Sequence, residues 1–164
     1  MVAAKVLGQT DTVVLLASFA IFVPPGREGS RTRAALAGMA ASLEDEVRAR
    51  AMLEVFTKKV AAPQSSDLLP PGPLDGELDE ANRTRLREDL DLLGRCDGML
   101  TGFPSSARVL IVEAEEDRIV EPEARRMLRE ALPDADVITL PGVGHALLSS
   151  EVIARVVEWA EMRG

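Results

Sequence analysis

Apolar residues in this chain fall into short unbroken runs separated by long stretches of helical period. Thr12 to Phe19 (T-V-V-L-L-A-S-F) is β-branched and apolar without alternation, as expected of a strand buried on both faces. The run continues to Val23, where Pro24-Pro25-Gly26 stops it. Two helices are expected next, over Arg31 to Ser42 and Leu43 to Val60. Ala34, Leu36, Met39, Ala40 and Leu43, then Val47, Ala51, Met52, Val55 and Phe56, recur there at three- and four-residue steps. Ser42 and Asp45 supply a capping signal for the second of them. Ala61 to Gly76, with Pro63, Pro70, Pro71, Gly72 and Pro73 and serines between them, reads as a turn-rich connection. A charged third helix is expected over Asp79 to Leu93, with Leu86, Leu90 and Leu93 on one face, and a connection from Gly94 to Ser106 follows. Val109 to Val112 reads as a strand, Glu121 to Leu132 as a helix, Val137 to Leu140 as a strand and Ser150 to Met162 as a last helix.

Strands that alternate with helices give an α/β class with parallel strands joined by crossovers. In such sheets the working groups lie beyond the carboxyl ends of the strands. Asp117 follows the second strand, in E-A-E-E-D-R, and His145 follows the third, in P-G-V-G-H-A. Neighbouring parallel strands deliver their following loops to one edge, so an acid and an imidazole 28 residues apart (145 minus 117) are expected to meet. His145 is the only histidine in the chain.

Composition narrows the function. With 164 residues, 46% of them apolar, the chain is long enough for one domain with a real core. A net charge of -8 argues against a nucleic-acid binder, which shows a basic face. One cysteine, Cys96, excludes an internal disulfide and fits a cytoplasmic setting. One Cys and one His cannot furnish a zinc site, and no cofactor or metal is expected. The apolar run Val13 to Val23 is too short to span a bilayer, which takes about 20 residues, and carries no cleavage pattern, so it reads as a buried strand.

The stretch V-L-I-V-E-A-E-E-D-R-I-V, the E-P-E-A helix start and V-I-T-L-P-G-V-G-H-A together resemble the C-terminal third of the α/β-hydrolase fold. That resemblance implies Asp117 as the triad acid and His145 as the triad base. Ala114 stands where the family usually has glycine. V-V-L-L-A-S-F-A-I-F-V-P-P-G-R-E-G resembles the sixth strand and the start of a helical lid. The lid wording, including Arg27-Glu28-Gly29 and F-T-K-K-V, resembles the pimeloyl-acyl-carrier-protein methyl ester esterases of biotin synthesis. The implied fold is α/β, a partial α/β-hydrolase domain over 1–164 with about three parallel strands, flanking helices and a helical lid insertion over 24–106. The arm from 107 to 164 carries Asp117 and His145. The implied chemistry is carboxylic ester hydrolysis of a small acyl ester. Arg27, Arg31, Arg33, Lys58 and Lys59 are then the contacts for an acidic acyl carrier protein.

The nucleophile is the missing part. Triad chemistry needs a serine on a strained strand-to-helix elbow, G-x-S-x-G, ahead of the acid and base in chain order. The nearest string is Leu16-Ala17-Ser18-Phe19-Ala20, without either glycine and without a helix of small residues behind it. Ser18 is therefore a poor nucleophile candidate, and Cys96, in R-C-D-G, reads as a half-buried apolar filler. The chain corresponds to the sixth strand onward of a hydrolase, is expected to be inactive alone, and leaves its first strand as an open edge. Self-association through that edge, near Val13 to Phe19, is the expected consequence. The alternative is a non-catalytic relative that binds acyl groups or a carrier protein through a lid pocket lined by Leu36, Met39, Leu43, Met52, Val55 and Phe56.

Overall fold

The computed structural model describes residues 10–96 and 107–162. Three strands, β1 (Thr12–Leu16), β2 (Arg108–Ala114) and β3 (Asp136–Leu140), form one parallel sheet in the order β1-β2-β3. The register sets Leu16 beside Val112 and Ala114 beside Leu140, so all three strands end at the same sheet edge. β2 is the central strand of the three, and every residue from Val109 to Ala114 is buried. That double-sided burial explains the unbroken apolar run V-L-I-V at its centre; the buried Glu113 beyond it is paired with Arg129.

The two faces of β2 are covered by different helices. Leu110, Val112 and Ala114 pack with Leu140, Val143 and with Val152 and Trp159 of the helix Ser150–Glu161. Val109 and Ile111 pack on the other face with Ala20 and with Leu128 of the helix Pro122–Ala131. Trp159 is fixed further, since its Nε1 donates to Asp136 at 2.7 Å and the Arg108 guanidinium lies 4.4 Å from its ring.

The helices are α1 (Gly26–Ser42), α2 (Glu46–Ala61), α3 (Glu80–Arg95), α4 (Pro122–Ala131) and α5 (Ser150–Glu161). The first three share a separate apolar cluster of Leu43, Ala49, Leu53 and Leu78, with Met52, Leu74, Leu86 and Leu90 around it. A short 3₁₀ turn, Ser66–Leu68, lies within the proline-rich connection.

Several expectations are corrected. β1 stops at Leu16, not Phe19, because Ala17 takes a left-handed backbone (φ 42°) that ends extended structure. Nor is β1 buried on both faces, as Leu16 is 49% exposed. No strand pairs with its outer edge among the described residues, so half of its contacts are unmade. α1 begins at Gly26, five residues early, because Pro25 provides an extended start and Gly26 the positive φ (80°) behind it. Ser42 does not cap α2. It is the last residue of α1 and donates to the Gly38 carbonyl, whereas Asp45 caps α2 by accepting from the Arg48 amide at 2.9 Å. The buried stripe of α2 is turned relative to the expected one: Ala49, Leu53 and Ala61 face inward, while Val47, Ala51 and Val55 are exposed. Most of the expected Gly94–Ser106 connection lies outside the described residues; Gly94 itself is helical.

Candidate active site: an acid and an imidazole at the sheet edge

β2 runs into a tight acidic turn. The Glu115 amide donates to Leu140 and the Glu116 amide to Val143, both at 3.0 Å, which ties this turn to the one leaving β3. Asp117 then points inward, its side chain only 1% exposed. Its Oδ1 accepts from the amides of Ile119 (2.7 Å) and Val120 (3.0 Å), and its Oδ2 lies 3.0 Å from Nδ1 of His145. Both carboxylate oxygens are thus engaged. Burial pushes the Asp117 carboxyl up. The hydrogen bond to His145, the two backbone amides and the imidazole's charge together outweigh it and leave the carboxyl below its ordinary range. Asp117 is held as an anion.

β3 delivers His145 through Pro141-Gly142-Val143-Gly144. Gly142 has φ 64°, a conformation that favours glycine, and Leu147 beyond the histidine has φ 50°. Val143 anchors the turn in the core. The imidazole is 25% exposed at its side chain, so one nitrogen faces a buried carboxylate while the ring keeps access to solvent. With Asp117 accepting from Nδ1–H, Nε2 carries the free lone pair, and that tautomer is able to take a proton from a donor in the cleft. The structure therefore brings Asp117 and His145 together.

It does not bring Ser18 to them. The Ser18 hydroxyl donates to the Leu16 carbonyl at 3.1 Å, and the left-handed residue of this turn is Ala17, not the serine. No helix begins until Gly26. Cys96 is half-buried at the end of α3, its thiol 3.6 Å from the Ala20 carbonyl. Among the described residues no group of three or more His, Cys, Asp and Glu side chains could hold a metal ion. No helix there is long and apolar enough to cross a membrane. Arg27, Arg31, Arg33, Lys58 and Lys59 are all exposed, and none forms an ion pair among the described residues.

Sequence reasoning missed the α2 side of the histidine turn. The Ala146 amide donates to Val60 at 3.2 Å, and Gln64 Nε2 donates to the Gly142 carbonyl at 2.9 Å. No local pattern signals a bond across 78 positions. The one clue in the sequence is Gly144, whose role is close approach: a Cβ there would sit 1.7 Å from the Ala62 carbonyl oxygen.

The α/β hydrolase family model matches residues 1–159. The chain belongs to the α/β hydrolase family. No curated protein matches it in sequence. Among solved structures it is similar to a thermophilic esterase (TM-score 0.57, 15% identity, 93% of this chain and 55% of that one). It is also similar to the esterase RhEst1 from Rhodococcus sp. ECU1013 (TM-score 0.55, 19% identity, 99% and 60%). A third is a bromoperoxidase from Bacillus anthracis (TM-score 0.54, 17% identity, 98% and 61%). At these identities the likeness shows the fold. The hydrolase chain spans less than two thirds of the length of each of these neighbours.

Proposed function

We propose that this chain supplies the acid–base arm of a carboxylic ester hydrolase, with His145 as general base and Asp117 as the group that orients it. The carrying observation is the 3.0 Å bond between His145 Nδ1 and an Asp117 carboxylate whose other oxygen is already held by two backbone amides. In triad chemistry the acid fixes the imidazole tautomer and stabilises the imidazolium that forms when the base takes a proton. A fixed, anionic Asp117 suits both tasks.

The nucleophile is the part this reading places elsewhere. Ser18 has its hydroxyl on a local carbonyl and no elbow beneath it. The open edge of β1 is the place where a further strand bearing a serine elbow would extend the sheet, in this polypeptide or in a partner. Alone, the dyad assists attack of water on an activated ester. Such turnover lies on the order of a million-fold below that of a complete triad.

The finer reading is a methyl ester of an acyl chain on an acidic acyl carrier protein in biotin synthesis, in the cytoplasm. It is supported by the five exposed, unpaired lid cations and by a single free cysteine. A second reading, binding of acyl groups by the lid without catalysis, is favoured by a cavity of about 680 Å³ lined by Met39, Leu43, Met52, Leu53, Phe56 and Leu90. That volume is within the usual range for small-molecule pockets. Of the expected lining, Val55 is exposed, and neither it nor Leu36 lines the cavity.

Hydrolysis of p-nitrophenyl acetate separates the readings. The chain is expected to give slow turnover that disappears in His145→Ala and falls in Asp117→Asn, with no serine labelled by a fluorophosphonate. Equal rates for the chain and His145→Ala would count against the hydrolase reading. Labelling of Ser18 would overturn the account of the nucleophile.

A further inference from the structure

The turn that carries His145 is gripped on two sides. On one side stands the acid loop, through the amides of Glu115 and Glu116. On the other stands the end of α2 and the segment after it. There the Ala146 amide donates to the Val60 carbonyl, Gln64 Nε2 donates to the Gly142 carbonyl at 2.9 Å, and Gly144 packs against the Ala62 carbonyl so closely that no side chain fits. These contacts fall on residues 142, 144 and 146, so they bracket the histidine.

Asp117 needs no such help, because the amides of Ile119 and Val120 in its own turn hold it. His145 differs. Its turn contains Gly142 at φ 64° and Leu147 at φ 50°, both outside the broadly favoured backbone regions. A single imidazole–carboxylate bond offsets the ordering of roughly one or two residues. The turn from Pro141 to Leu147 is longer than that. Something besides Asp117 has to order it. Val143 in the core and the Glu116 amide hold its middle, and the contacts from the end of α2 hold the residues on either side of the histidine.

We propose that Gln64, together with the end of α2, is a positioning residue for His145. By holding the Gly142 carbonyl it keeps the histidine turn against the acid loop and Nδ1 within reach of Asp117. The lid is then part of the scaffold of the base as well as a cover for the cleft. This rests on the acid–base reading above and adds the residue that ties it to the lid.

Gln64 makes a clean probe. Its Oε1 is buried without a partner among the described residues, so the amide group adds little net stability. Gln64→Met keeps the shape and removes the donor. Because the chain holds one histidine, its Nδ1–H resonance and its carbethoxylation by diethyl pyrocarbonate report on this site alone. In Gln64→Met the expected result is an unchanged melting temperature, a broadened or lost Nδ1–H resonance, and carbethoxylation several-fold faster. Gly144→Ala, which forces the turn away from Ala62, is expected to change both signals further. An unaltered resonance and rate in either folded variant would overturn the proposal, as would a loss of melting temperature in Gln64→Met without change at the imidazole. The two readings fail separately. Absent ester turnover with a Gln64-dependent resonance strikes the hydrolase reading alone, and the converse result strikes only the positioning role.

Discussion

The turn after β2 and the turn after β1 leave the same edge of the same sheet, one strand apart, and they are built to different standards. After β2, Asp117 has both oxygens engaged, its own turn is stitched to β3, and the turn of its partner imidazole is held from a second side by the end of α2 and Gln64. After β1, the chain passes through a left-handed alanine, and the serine there donates to a carbonyl two residues back. The acid turn after β2 holds no positive-φ residue, and its order is over-determined. At the second, strain is present with no functional group placed by it. The difference locates what this chain contributes, the acid and the base. On the proposed reading, the nucleophile is then supplied from beyond the β1 edge.

The largest break in this contrast is Asp117→Ala. Removing the carboxylate leaves two buried amides and the imidazole without an acceptor, and the expected loss is about 3 kcal/mol in urea denaturation. The same group sets an acid limit. Its folded carboxyl lies below the ordinary value of 3.8, so its contribution is fully present above about pH 4 and is lost as pH falls through the depressed folded value. Asp117→Asn is expected to flatten that acid decline while leaving the neutral-pH melting less stable than that of the parent. An equally steep acid decline in the variant would assign it to other carboxylates.

The second break concerns the open edge. Leu16, half-exposed at the end of β1, invites pairing with another strand. Leu16→Lys is expected to shift the chain toward a monomer in analytical ultracentrifugation, while the chain itself sediments as dimer or larger. A parent chain that is already monomeric and melts cooperatively at high temperature would remove the edge from the account.

The smallest effects belong to the turn after β1. Ala17→Gly relieves a positive φ and is expected to stabilise by about 1 kcal/mol. Ser18→Ala should alter stability by less than about 0.5 kcal/mol and leave the slow ester turnover unchanged. A serine working as a nucleophile would instead lose that turnover.

Much of this was legible in the residues. The strand cores, the helix order and the meeting of Asp117 with His145 follow from apolar runs, periodicity and the rule that parallel strands release their loops at one edge. What was not legible depends on distant partners. The length of β1 turned on a left-handed backbone at Ala17, and its exposure on an edge that no described strand covers; periodicity records neither. The stripe of α2 was read half a face off: Met52 and Phe56 do turn inward, but Val47, Ala51 and Val55 repeat at helical spacing as regularly as Ala49 and Leu53 do. Packing against Leu43 and Leu78 chose between the two. Asp45 displaced Ser42 as the cap because the serine hydroxyl was already engaged with its own helix. The grip of Gln64 on the histidine turn joins residues 78 apart and could be seen only in the fold.

The central claim is that Asp117 and His145 stand preassembled as acid and base within this chain. The most direct measurement is the ¹⁵N spectrum of its single imidazole at pH 8, which reports which ring nitrogen carries the proton. The account predicts the Nδ1–H tautomer in the chain and a shift toward Nε2–H in Asp117→Asn. An Nε2–H tautomer in the chain itself, unchanged by Asp117→Asn, would contradict it.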